Sequence, residues 1–209
     1  MTFTGPLSSE PLARASALLA GGRRLLGLVG APGSGKSTLA QALAAAFPGR
    51  AVIVPMDGFH LAQAELERRG LASRKGAPET FDAAGYVALL RRLRSPAAGE
   101  TVYAPEFRRE IEEPIAGAIA VEARLPLVIT EGNYLLLDTE PWRQVRPLLD
   151  EAWYVEVDED LRRERLVQRH MAFGRSRDAA LQWVQHTDEP NARLVAASRQ
   201  RADVTIAVG

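Results

Sequence analysis

The chain has 209 residues, 46% of them apolar, with 26 basic and 26 acidic side chains and no cysteine. Balanced charge excludes a global field drawing it to nucleic acid or anionic lipid, missing thiols exclude disulfides and thiolate metal sites, and no apolar run approaches the roughly 18 residues that span a bilayer. These totals, with an opening "MTFTGPLSSEP" that lacks a basic segment followed by an apolar run, predict a single cytoplasmic domain over 1–209 with no leader, no membrane and no nucleic-acid partner.

In chain order, apolar periodicity predicts a helix over 10–20, a strand over 25–29, a helix over 36–47, a strand over 51–54 and helices over 62–69 and 83–93. After a break come a strand over 127–130, a helix over 142–149, a strand over 152–157, helices over 159–172, 178–186 and 189–201, and a closing strand over 204–208. Short apolar strands alternating with amphipathic helices imply an α/β fold, a parallel sheet with helices on both faces. Asp82 and Asp158 stand where the following helices need N-caps. Residues 95–123 interrupt the alternation: three prolines and β-like pieces near 101–104 and 115–121 predict a small hairpin insert, a usual place for specificity.

The first strand runs into Gly30-Ala31-Pro32-Gly33-Ser34-Gly35-Lys36-Ser37-Thr38. This segment meets every fixed position of G-x-x-x-x-G-K-[ST], between a strand and a helix as that loop requires, so the fold is a P-loop NTPase fold. The glycines let backbone N–H groups turn toward nucleotide phosphates, and the helix adds its positive N-terminal end. Lys36 is suited to pair phosphate oxygens and the Ser37 hydroxyl to ligate Mg²⁺.

Where the terminal phosphate goes depends on the remaining residues. A guanine-reading N-K-x-D is absent, and the one D-x-x-G, Asp82 to Gly85, opens a helix rather than closing a strand. A kinase needs a base for the acceptor hydroxyl, a second metal anchor and mobile cations. "VIVPMDGFH" offers Asp57 just beyond a strand end as base, with Phe59 and His60 facing the acceptor; a plain turn aspartate and an exposed loop histidine are the alternatives. "LPLVITEGNY" offers Glu131, closing a strand, for Mg²⁺ or for orienting the acceptor. In "EDLRRERLVQRHMAFGRSRD", Arg162, Arg165 and Arg169 share one helix face at 100° per residue, a lid over about 159–178 with Gly174 as hinge; a solvated arginine face is the alternative.

The motifs "GAPGSGKST", "PMDGFH", "YAPEFRREIEEPI", "VITEGNYLLL", "RRERLVQRH" and "DEPNARLV" resemble, in order and spacing, the P-loop kinase family of uridine kinase, phosphoribulokinase and bacterial pantothenate kinase. The resemblance runs from about residue 25 to the C-terminus. It implies Asp57 as catalytic base, Glu131 as the acid at the next strand end, Arg165 and Arg169 as lid arginines, and acceptor contacts from Tyr103, Phe107 and Arg109 in the insert. Uridine kinases carry D-S-F-Y where this chain has Asp57 to His60, and "YAPEFRR" lacks their uracil-reading histidine. "MDGFH" and "TEGNYLLL" look more like a bacterial branch, similar to pantothenate kinase and labelled as fructose-transport-associated kinases.

Together these readings predict a small-molecule kinase that uses ATP and Mg²⁺ to phosphorylate a hydroxyl of a sugar, a pantothenate-like molecule or a nucleoside. A nucleotide-sensing regulator without turnover is the alternative, followed by a plain ATPase. Acceptor identity, base recognition and the choice between monomer and homodimer stay open.

Overall fold

The computed structural model describes residues 9–208; the "MTFTGPLS" start, on which the leader expectation mainly rests, lies outside them. Five strands form a wholly parallel sheet in the order β2 (Ala51–Pro55), β5 (Leu127–Gly132), β1 (Arg24–Val29), β6 (Glu151–Glu156), β7 (Val204–Ala207). β1 sits centrally, with Leu25 opposite Val128 and Leu28 opposite both Glu131 and Trp153.

The three inner strands, β5, β1 and β6, are buried on both faces, which is why their sequences are apolar runs rather than alternations. Leu26, Leu28, Leu127, Ile129, Trp153 and Val155 face α1 (Ser9–Leu18) and α2 (Lys36–Ala46), where Ala15, Leu39 and Leu43 meet them. Leu25, Val54, Val128 and Tyr154 face the other way, toward α4 (Ala83–Arg94) and an aromatic group of Phe81, Tyr86, Tyr134 and Trp142. Within that layer the Tyr86 hydroxyl lies 2.6 Å from Thr130 Oγ1, which donates to the Val54 carbonyl at 2.7 Å and so ties α4 to β5 and β2.

The two expected caps form. Asp82 accepts from the Gly85 N–H at 2.8 Å, so the D-x-x-G is a helix start, and Asp158 accepts from the N–H groups of Asp160 and Leu161 at 3.0 Å. The insert is an antiparallel hairpin, β3 (Thr101–Arg108) and β4 (Glu113–Glu122), longer than its two β-like pieces suggest. α3 (Gln63–Arg68) is short.

Three helical expectations change. Residues 142–149 form two 3₁₀ turns, Trp142–Gln144 and Arg146–Leu148, because Pro147 has no N–H to continue an α-helix. α6 (Arg177–Trp183) does not stop before the next helix but runs through a π-helical turn, Val184–Asp188, into α7 (Glu189–Ala197). α7 ends earlier than expected, followed by a 3₁₀ turn, Arg199–Arg201.

Candidate active site

The phosphate loop leaves β1 at its C-terminal end, where a parallel sheet presents its ligand edge. Gly33 and Gly35 have φ of 81° and 89°, a left-handed backbone that a side chain would oppose, and α2 begins at Lys36 directly after them. A side chain at Gly33 would also lie 2.9 Å from the Arg162 carbonyl oxygen, so the loop is held against α5 (Glu159–Ala172). Ala31, Pro32 and Ser34 are buried, Gly30 packs under Ser34, and Thr38 is half-buried in the first turn of α2.

Beside the loop lies a cavity of about 450 Å³. Pro32, Lys36 and Ser37 line it from the loop, Asp57 and His60 from the turn after β2, Phe107 and Arg109 from the hairpin, and Arg169, His170 and Arg175 from α5 and the segment beyond it. Glu131 stands behind Ser37, whose hydroxyl donates to Glu131 Oε1 at 3.0 Å. Asp57, 31% exposed, is salt-bridged to Arg109 at 3.2 Å. An ion pair this accessible is worth about 0–1 kcal/mol and is easily exchanged.

Close packing at the Asp57 turn is made possible by Gly58. A Cβ there would lie 2.7 Å from the Pro105 carbonyl carbon, so the hairpin rests directly on the turn that carries Asp57. His60 Nδ1 lies 2.8 Å from the Asp57 carbonyl oxygen, and its ring sits between those of Phe81 at 4.0 Å and Phe107 at 4.7 Å, tilted to each by 43° and 46°.

The charges hold one another in tension. Burial lowers the pKa of Lys36, with Glu131 and Asp57 opposing. Burial raises Glu131, with Lys36 opposing. At Asp57 burial also acts upward but is outweighed by His60, Arg109, Lys36 and Arg169, which together hold its carboxyl below the ordinary value. Arg169 is lowered by burial, and among the described residues its guanidinium has no hydrogen-bonded or ion-paired partner. An arginine left in that condition is ready to receive an anion.

Ser37 Oγ and Glu131 Oε1 form a hard-oxygen pair at the foot of Lys36, the donor type that Mg²⁺ takes. Burial that raises Glu131 is the strain a divalent cation would relieve. No group of three or more His, Cys, Asp or Glu suited to a metal occurs among the described residues. A cation at this pair would therefore complete its shell with phosphate oxygens and water, which suits Mg²⁺.

The three arginines expected on one face of α5 separate. Arg169 reaches the cavity. Arg165 places Nη1 3.8 Å from where a Gly35 side chain would begin, beside the loop and outside the cavity. Arg162 is 1% exposed, bonded to Glu159 at 2.8 Å, to Glu189 and to the Pro32 carbonyl, and so serves packing rather than anion capture. Gly174, φ 91°, terminates α5: its N–H donates to the Met171 carbonyl and that of Arg175 to the His170 carbonyl, a helix-ending pair of bonds at the position expected to be the hinge.

Two of the expected acceptor contacts are placed elsewhere. Tyr103 is 59% exposed, while its neighbours Val102 and Ala104 are buried; the ladder is interrupted between Ala104 and Glu106, and beyond that irregularity Phe107 and Arg109 reach the cavity. Phe59, partly buried, packs on Tyr86 at 5.2 Å, against the core. Lys75, Asn133, His170, Asp188 and Asn191 also line the cavity, the last four from within the quoted motifs but with no site role expected of them. Asn133 follows Glu131 by two residues in "TEGNY", a signal that was available; Lys75, in an irregular segment, carried none. His170 pairs with Asp188 at 2.8 Å across eighteen residues.

A model of the "Phosphoribulokinase / Uridine kinase family" matches residues 25–209. A solved structure titled "putative fructose transport system kinase", from Silicibacter sp. TM1040, is 43% identical, with a TM-score of 0.85 over 94% of this chain and 97% of that one. A Schizosaccharomyces pombe protein named "Putative uridine kinase" is 36% identical over 195 residues, 88% of this chain and 83% of its own. A pantothenate kinase of Lacticaseibacillus casei is 32% identical over 143 residues, 66% of this chain but 46% of that protein.

Proposed function

Because the chain belongs to the phosphoribulokinase and uridine kinase family and is a small-molecule kinase, we propose that it moves the γ-phosphoryl group of MgATP to a hydroxyl of a small metabolite, with Asp57 as the base. The observation that carries this reading is the shared cavity: Lys36 and Ser37, Asp57 and Arg169, from three separate segments, line one space of about 450 Å³. That space admits a terminal phosphate with an alcohol beside it.

Lys36 and the loop N–H groups hold the β- and γ-phosphates, and Arg169 spreads the charge of the group in transfer, while Arg165 stands beside the loop at Gly35. Ser37 and Glu131 would hold Mg²⁺, which would neutralise phosphate charge when bound. Asp57 takes the hydroxyl proton as the acceptor oxygen bonds to the γ-phosphorus, the bond to the β–γ bridging oxygen breaks and ADP departs. Phe107 and His60 form an aromatic wall on the acceptor side.

The test is ADP release from ATP measured across sugars, sugar phosphates, pantothenate, short hydroxy acids and nucleosides. Stimulation by one acceptor, lost in Asp57→Asn, supports the reading. ATP turnover indifferent to every acceptor, or tight binding with no turnover, removes it.

A further inference from the structure

The acceptor side of the cavity is lined by two cations that a neutral alcohol would not use, each balanced there by a carboxylate, Asp57 or Glu112. Lys36 and Arg169 stand by the phosphate loop and α5, where a triphosphate would take both. Two further cations, Arg109 and Lys75, lie on the hairpin side, 5.7 and 5.5 Å from the centre of the same Phe107 ring. Lys75 is tethered by donating to the Glu112 carbonyl at 2.7 Å and to Gln63 Oε1 at 3.4 Å, and its Nζ lies 3.9 Å from the exposed Glu112 carboxylate, a loose pair that a bound anion can replace. Arg109 is spent on Asp57 at 3.2 Å.

That last contact is awkward for a base. A carboxylate held by a guanidinium accepts a hydroxyl proton poorly, so Arg109 must release Asp57 before reaction. Both side chains are accessible, 43% and 31% exposed, and such a pair exchanges readily when a better anion is offered. Asn133 adds a buried Oδ1 with no hydrogen-bond partner, lining the same cavity and ready to accept from a hydroxyl.

We infer that the acceptor is a hydroxylated anion, carrying a carboxylate or a phosphate ester that draws Arg109 off Asp57 onto itself beside Lys75, while Asn133 accepts from one of its hydroxyls. Acceptor binding then frees the base only when the molecule carries the charge that Arg109 seeks. This rests on the kinase reading above and narrows its substrate class.

The test is ADP release with matched pairs that differ in the anionic group: glycerate against glycerol, pantothenate against panthenol, ribose 5-phosphate against ribose. The charged member of at least one pair should be used and its neutral partner not, the pair identifying carboxylate or phosphate. In Arg109→Met, kcat/KM for the charged member should fall about 10–100-fold with the KM for ATP unchanged, and Lys75→Met should weaken the same member. ATP binding by each variant checks that it is folded. A neutral partner used as well as its acid overturns the inference and leaves the kinase reading intact. A raised KM for ATP in Arg109→Met, with the acid-to-neutral ratio unmoved, also overturns it by assigning Arg109 to the nucleotide. No stimulation by any member, extended to the wider panel, removes the kinase reading and the inference together.

Discussion

The Ser37 hydroxyl donates to Glu131 Oε1 across 3.0 Å, joining the first turn of α2 to the end of β5. Glu131→Gln keeps a hydrogen-bond acceptor there and removes the charge. The Mg²⁺ concentration for half-maximal turnover should rise about 10–100-fold, read from a Mg²⁺ titration of ADP release. An unshifted titration would take Glu131 away from the metal.

Asp57→Asn preserves shape and abolishes basicity. Turnover should drop about 10²–10⁴-fold, with ATP affinity, measured by calorimetry, within about a factor of two. Loss of ATP binding in the variant would mean that Asp57 organises the nucleotide instead.

His60 gives a pH dependence. Its burial lowers its pKa below 6.5, the nearby Asp57 only partly opposing. The folded protein therefore takes up this proton less readily than the unfolded chain. Its contribution to stability is level above about pH 6.5, where both states are neutral, and is lost as pH falls below that value toward the folded pKa. Between pH 8 and 5 the Tm of the natural protein should fall more steeply than that of His60→Gln. Parallel curves would exclude this titration.

Arg162 and Arg169 stand seven residues apart on α5 in different surroundings and should fail differently. Arg162→Met removes a buried guanidinium bonded to Glu159, Glu189 and the Pro32 carbonyl, leaving Glu189 only the half-exposed Arg163 at 3.4 Å, and should cost about 1–3 kcal/mol in denaturant unfolding. Arg169→Met, which breaks no ion pair among the described residues, should leave stability almost unchanged and lower kcat about 10²–10³-fold. Equal stability losses would contradict the separate placements.

Gly58→Ala sets a methyl group against the Pro105 backbone. Backbone cannot rotate away, so destabilisation of about 1–3 kcal/mol is expected, with a rise in KM for the acceptor as the hairpin lifts. Thermal unfolding together with acceptor kinetics checks both.

The phosphate loop, the parallel sheet and both aspartate caps were legible because their causes are local. A glycine spacing, an apolar run and a cap at a helix start are all contained within a few consecutive residues. The helix expected over 142–149 failed for an equally local reason, Pro147, whose missing N–H outweighs the apolar pattern around it.

What the sequence determined by itself was the nucleotide end: residues 30–38 dictate backbone geometry and place Lys36 and Ser37 at a helix start wherever that helix goes. Tertiary structure alone decided the acceptor end, bringing Asp57, Lys75, Phe107, Arg109, Asn133 and Arg169 to one cavity from separate segments. It also decided which expected residues stayed out, leaving Tyr103 in solvent and Arg162 beneath the loop. Helical periodicity sets the angle at which a side chain leaves its axis. What stands opposite is fixed only when distant elements pack, since contact depends on their relative positions and not on spacing within either one.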